Sequence, residues 1–204
     1  MNNGTMRRRF FPLFPGLIGL GLLAVSLAYR GSAGMPEELR GIALNEPRPL
    51  PDFTLRGEGG KRLTRQELSG GWHFLYFGYT HCPDICPPTL ARLAKLADRL
   101  PTDGADYLFI SVDPARDTPA QLADYTDYFH PRLQGFTGHR TEIDRVVAAA
   151  GAHYRLGEGA DYTVDHSAGI FVIGPEARVR AVLPPPHRPA EMADLFRAVR
   201  EYRP

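Results

Sequence analysis

Cysteine is scarce in this 204-residue chain: there are two, Cys82 and Cys86. A bridge between them would close a very small loop and constrain the unfolded chain little, so a structural staple is a weak account of the pair. An excess of one sign of charge is missing too. The formal net charge is +1, but all four basic residues of the first 36 positions (Arg7, Arg8, Arg9 and Arg30) stand without an acid. Beyond them 20 basic residues face 23 acidic ones, about −3, with no basic stripe, which removes the electrostatic support nucleic-acid binding needs. No repeat of fixed period occurs. Nothing resembles a Ser-His-Asp triad, a phosphate loop or a zinc hydrolase site. The length suits one well-cored domain plus a tail, and not two comfortable domains.

The longest stretch without charge runs from Phe10 to Tyr29, directly behind Arg7-Arg8-Arg9. A helix needs about 20 residues to cross the hydrocarbon core. Arginines ahead of the run favour an N-inside, C-outside orientation. Residues 1–9 then form a cytoplasmic N-terminus and 10–29 a transmembrane anchor. Ser26-Leu27-Ala28 also offers a cleavage site, which makes a signal peptide the rival reading. Both readings export the rest of the chain, and the absence of a long Ser- and Arg-rich presequence favours bacterial export, with the domain in the periplasm. Residues 30–50, rich in Gly and Pro, read as a linker, and 51–204 as the folded domain.

Within that domain strands and helices alternate. Asp52 to Leu55 suggests an opening strand and turn, and Thr64 to Leu68 one helical turn. Trp72 to Phe77 is nearly continuously apolar, as in a central strand buried on both faces. Leu90, Leu93, Ala97 and Leu100 mark a helix over 88–100. Tyr107 to Val112 is a second buried strand. Thr118 caps the next helix with Pro119 at its first position. A short strand over 134–137, a helix around Ile143 to Ala150 stopped by Gly151, and an edge strand over 153–156 follow. Gly169 to Ile173 and Arg178 to Leu183 form a hairpin, and Met192, Leu195, Phe196 and Val199 give the last helix, 189–201, one apolar face. The order predicts an α/β fold with a mixed central sheet flanked by helices.

Both cysteines lie in Tyr76 to Pro88, where a strand gives way to a helix. Outside the cytoplasm thiols tend toward disulfides, and a helix N-terminus lowers a thiol pKa. If the turn is helical, positions i and i+4 put both sulfurs on one face. On its own the pair fits a small local disulfide, a redox dithiol or a metal site.

Three blocks in order are more specific. Phe77-Gly78-Tyr79-Thr80-His81-Cys82-Pro83-Asp84-Ile85-Cys86-Pro87 resembles the signature of the Sco/SenC family, copper chaperones of cytochrome c oxidase assembly. Val112-Asp113-Pro114-Ala115-Arg116-Asp117-Thr118 resembles its second block. Asp161-Tyr162-Thr163-Val164-Asp165-His166-Ser167, followed by Ile173-Gly174-Pro175, resembles its third. The resemblance covers about residues 50–202 plus the N-terminal anchor. It implies a thioredoxin-like fold in which Cys82, Cys86 and His166 bind copper, as Cu(I), Cu(II) or both. Two thiolates favour Cu(I), and an imidazole completes a trigonal site. Thioredoxin-like folds usually place a cis-proline just before the strand that follows His166; this chain has Asp165-His166-Ser167-Ala168 instead.

Asp84 is expected to cap the helix or tune the site, and Asp161 and Asp165 to orient His166 by hydrogen bonds. Asp113, Arg116 and Asp117 read as an ion-pair cluster fixing a loop beside the site. His81 is expected to be outside the ligand set, His73 structural, and His130, His139, His153 and His187 solvated. Met35 in the linker and Met192 on a core face are poor ligand candidates.

The resemblance implies a metallochaperone rather than an enzyme: it takes copper from a carrier and passes it to the binuclear copper site of an oxidase subunit. The alternative is a thiol-disulfide oxidoreductase that uses Cys82 and Cys86, bridged in the oxidised form, to keep that subunit's cysteines reduced. A peroxidase role has only fold and thiol behind it.

Overall fold

A computed structural model of the protein describes residues 35–100, 104–159 and 161–202. Ten strands and four α-helices alternate along it. The strands are β1 (Ala43–Pro49), β2 (Thr54–Arg56), β3 (Arg62–Thr64), β4 (Trp72–Gly78), β5 (Ala105–Ser111), β6 (Leu133–Phe136), β7 (Tyr154–Leu156), β8 (Val164–His166), β9 (Ile170–Gly174) and β10 (Arg178–Leu183). The helices are α1 (Cys86–Arg99), α2 (Pro119–Phe129), α3 (Arg140–Ala150) and α4 (Pro189–Glu201).

The apolar runs decide the centre of the sheet. Phe74, Leu75, Tyr76 and Phe77 are fully buried, as a strand covered on both faces requires. β4 pairs parallel with β5 and antiparallel with β9. The six-stranded order is β1-β10-β9-β4-β5-β6, with β5 and β6 parallel and β9, β10 and β1 antiparallel. This is the mixed sheet with flanking helices that the sequence predicts. Helix α1 packs against α4, and α2 lies along β6. Thr118 caps α2 in a full capping box, with Pro119 in the first turn. Gly151 ends α3 in the left-handed region, φ 73°, where a side chain would be strained.

Two features correct the sequence reading. Of the expected linker, 30–50, residues 35–50 are not a plain tether. A short 3-10 turn, Glu37–Leu39, buries Leu39 completely, and β1 zips onto β10 as the sheet's edge. Met35 packs against the core rather than hanging in a tether. The prolines that suggested a linker, Pro47 and Pro49, are tolerated because only one side of an edge strand pairs. The second correction concerns 153–166: β7 pairs with β8, a strand the sequence did not predict, in a separate two-stranded sheet. Residues 1–9 and the expected anchor, 10–29, lie outside the described residues. Among the described residues no helix is long and apolar enough to cross a membrane.

Candidate metal centre

The site begins where β4 ends. A Cβ on Gly78 would lie 2.7 Å from Cys86 Sγ and 2.7 Å from Phe109 Cε2, so only glycine lets the thiol sit against the strand end. The chain then turns through bends, not helix, as far as Ile85, the N-cap of α1. Cys86 is the first residue of α1, and Cys82 stands ahead of it in the loop with its N–H bonded to the Tyr79 carbonyl at 3.3 Å. The two sulfurs thus meet because the loop folds back over the helix N-terminus. The turn is not helical, so the i, i+4 arrangement that a helical turn would have given is not formed.

The third group arrives from β8. Its burial alternates, with Val164 and His166 inward and Asp165 outward. His166 Nε2 lies 3.4 Å from Cys86 Sγ, and Nδ1–H donates to the Ser167 carbonyl at 3.1 Å. That bond leaves the Nε2 lone pair toward the sulfurs. Cys82, Cys86 and His166 are all buried, and their ligand atoms lie within 4.8 Å of one another. Tyr76 and Tyr79 stand edge-on to the imidazole, at 5.9 and 6.0 Å between ring centres.

Both thiols are unbridged. They behave as an unequal pair. The Cys86 thiol donates toward Cys82 and brings its pKa down to about 4, against the opposing effect of burial; the Asp84 and Cys86 backbone N–H groups help. Cys86 is pushed far up by the same hydrogen bond and by burial. The pair therefore favours one proton between the two sulfurs, on the more deeply buried Cys86. Burial pushes the Tyr76 phenol up.

The loop after β5 braces this arrangement. Buried Asp117 accepts from the Thr80 N–H at 3.0 Å, the Thr80 hydroxyl at 2.6 Å and the Ser111 hydroxyl at 2.6 Å. Asp113 pairs with Arg116 at 2.5 Å and accepts from the Tyr162 hydroxyl at 2.6 Å. The Asp113–Arg116 ion pair matches the expected cluster. Asp117 works through hydroxyls and an amide.

The expected carboxylate partners of His166 are corrected. Asp165 points outward by strand alternation and pairs with Arg155 at 3.7 Å. Asp161 is exposed, and no side-chain hydrogen bond joins it to His166 among the described residues. The Ser167 carbonyl does the orienting. Asp84 is exposed and does not cap α1 with its side chain; its backbone N–H serves Cys82. His81 is exposed and bonded to Thr80, and His73 is a buried structural residue held by the Leu68 carbonyl. His187, expected in solvent, is buried, its Nε2–H donating to the Leu183 carbonyl. His130 is partly sheltered against Asp98. Met192 lies in the core. Tyr76, Tyr79, Tyr162 and Ser167 were not legible as site residues: each contact spans the fold or runs through backbone.

A mixed α/β domain that closes two soft sulfurs and an imidazole into one buried cluster defines a dithiol–histidine protein suited to a soft metal. The SCO1/SenC family model matches residues 44–201, and the chain belongs to that family. Protein SCO1 homolog 1, mitochondrial, of Arabidopsis thaliana is 40% identical over 157 residues, covering 74% of this chain and 47% of that protein. The chain thus spans about half the length of this relative. Copper-bound ScoI of Arabidopsis thaliana superposes with a TM-score of 0.69 at 38% identity, over 74% of this chain and 98% of that one. Copper-bound ScoI of Bradyrhizobium japonicum gives 0.67 at 34%, over 74% and 99%. BsSco, described as a member of the Sco family of cytochrome c oxidase assembly proteins, shares the fold at 22% identity and a TM-score of 0.61, over 78% and 99%.

Proposed function

We propose that this protein binds one copper ion through Cys82, Cys86 and His166 and delivers it to the binuclear copper site of cytochrome c oxidase during assembly. The observation that carries the reading is the buried cluster of two sulfurs and one imidazole nitrogen within 4.8 Å. Softness of the donors favours Cu(I), and the imidazole also supports Cu(II). The copper-bound ScoI structures supply the family precedent for the metal, and the family's tie to oxidase assembly supplies the recipient. Copper is cargo here. Three ligands rather than four leave room for an incoming ligand from the recipient, so transfer proceeds by stepwise exchange, each protein–copper bond being replaced as it breaks.

The uncharged run 10–29 behind three arginines supports a single-pass anchor in a bacterial inner membrane, with residues 35–204 in the periplasm. Anchoring would hold the carrier in the same membrane as the oxidase, within reach of a periplasmic copper donor. The test is transfer. Copper-loaded full-length chain is mixed with the apo copper-binding subunit, and the binuclear site's absorption is followed. Stoichiometric appearance of that signal supports delivery; copper that stays with Cys82 and Cys86 contradicts it.

One observation favours a second reading. The Cys86 hydrogen bond holds the Cys82 thiol well below its usual range while the same bond and burial push Cys86 up, the unequal arrangement a dithiol reductant uses. In this reading the pair reduces a disulfide in the recipient and becomes Cys82–Cys86 itself. Thiol exchange with an oxidised target peptide measures it, and no exchange within minutes would remove it.

A further inference from the structure

The histidine reaches the site on a separate arm. The β7–β8 hairpin pairs with no strand of the six-stranded sheet among the described residues. At its far end the Gly157 N–H bonds to the Thr163 carbonyl at 2.8 Å. Tyr154 ties the arm's outer strand to α3 through Asp144 and Arg140. On the side of the cysteines the Val164 backbone of β8 is hydrogen-bonded to the Tyr79 hydroxyl, and the segment just ahead of β8 has a built side-chain fastening. The Tyr162 hydroxyl donates to buried Asp113 at 2.6 Å, and the Arg116 guanidinium lies over the Tyr162 ring at 3.7 Å. Asp113 also accepts from Arg116, so the acid, the guanidinium and the phenol lock one another.

The same short loop holds the other arm. Val112 N–H bonds to the Gly78 carbonyl, and Asp117 fixes Thr80, two residues ahead of Cys82. Asp113 and Asp117 are joined through Ser111, whose hydroxyl accepts from the Asp113 N–H and donates to Asp117. One brace therefore sets where both ligand arms stand. The two grips differ in kind. Asp117 is wholly buried and receives three hydrogen bonds, whereas Tyr162 is only half-buried and its hydroxyl makes one.

We infer that Tyr162 is a positioning residue for His166, a clasp on Asp113 that holds the imidazole in the ligand set and whose opening withdraws it while both sulfurs keep the ion. The inference rests on the copper reading above. When the clasp opens, the Tyr162–Asp113 hydrogen bond and the copper–imidazole bond are lost together, and an incoming ligand takes the vacated position. No electron moves in this step. The hydroxyl is the critical group, because the aromatic ring alone can still stack on Arg116.

The test compares full-length wild type, Tyr162→Phe, His166→Ala and the double variant, each reduced and loaded anaerobically with Cu(I). X-ray absorption counts sulfur and nitrogen ligands, and a chelator competition gives affinity. Tyr162→Phe should keep two sulfurs, lose the nitrogen and bind about 10–100-fold more weakly, as for loss of an outer partner of a metal-binding histidine. The double variant should bind no more weakly than His166→Ala, since both changes remove the same ligand. Asp113→Asn, which weakens the bond from its other end, should lose the nitrogen as well. Wild type with two sulfurs and one nitrogen beside a Tyr162→Phe protein that keeps its nitrogen, or additive losses in the double variant, would overturn the clasp alone. A wild type that takes no copper would overturn the copper reading and the clasp with it.

Discussion

Cys86 Sγ and His166 Nε2 stand 3.4 Å apart, although 80 positions separate the residues along the chain. That contact converts a local dithiol into a three-donor site. It exists because β9 lies antiparallel beside β4, which returns the chain ahead of β9 to the point where β4 ends.

Replacing His166 by Ala should cost copper affinity without touching the dithiol. Losing a direct ligand should exceed the 10–100-fold typical of losing an outer partner, so a fall of at least about 100-fold is expected. Cys82 and Cys86 should still oxidise to a bridge. Chelator competition under reducing conditions checks the first outcome and mass spectrometry of the oxidised chain the second. Equal copper affinity in wild type and variant would exclude the imidazole as a ligand.

Gly78→Ala should damage the site and the core together. The new methyl would sit 2.7 Å from both Cys86 Sγ and Phe109 Cε2. Overpacking of this kind costs about 1–3 kcal/mol, roughly 2–12 °C in melting temperature for a domain of this size. Because the displaced atom is a ligand, copper affinity should fall as well. Calorimetry and copper competition on the same samples separate the two effects; an unchanged melting temperature would show that the strand end has room.

The unequal thiols predict an unusual titration. The hydrogen bond from Cys86 holds Cys82 down near about 4, so one thiolate per reduced, metal-free chain should persist from neutral pH to about pH 5 and vanish as pH falls through about 4. The second sulfur, pushed up, should contribute no thiolate at pH 8. Thiolate absorbance near 240 nm follows both. In Cys86→Ala, which removes the donor, the Cys82 value should rise. Two thiolates appearing together near the ordinary value of about 8.5 would contradict the shared proton.

Deleting residues 37–50 should destabilise the fold, which a tether would not do. Leu39 and Leu50 are buried at 0 and 2% exposure, and β1 covers the β10 edge. Two buried leucines contribute about 3–6 kcal/mol by apolar burial, and an uncovered edge invites association. Thermal unfolding and light scattering of the deleted chain check this. A melting temperature equal to that of the full chain would restore the linker reading.

The parts of the fold that were legible in sequence are those whose residues speak locally. Phe74 to Phe77 could only be a strand covered on both faces, Thr118-Pro119 announced a helix start, and Met192, Leu195, Phe196 and Val199 drew α4 to its observed ends. β1 was hidden because Pro47 and Pro49 read as breakers until an edge position makes them harmless. β8 has three residues, too few for a period, so the outward turn of Asp165 could not be seen and the carboxylate was assigned to His166. The three ligands were legible through motif order. What fixes them, Asp117 on Thr80 and Asp113 on Tyr162, depends on a loop meeting two others in space, and no spacing encodes that.

The central claim is that Cys82, Cys86 and His166 hold one copper ion together. Anaerobic titration of the reduced full-length chain with Cu(I), followed by X-ray absorption at the end point, tests it most directly. The account predicts saturation at one copper per chain with two sulfur ligands and one nitrogen ligand. Saturation with sulfur ligands alone, or no binding that survives a competing chelator, would contradict it.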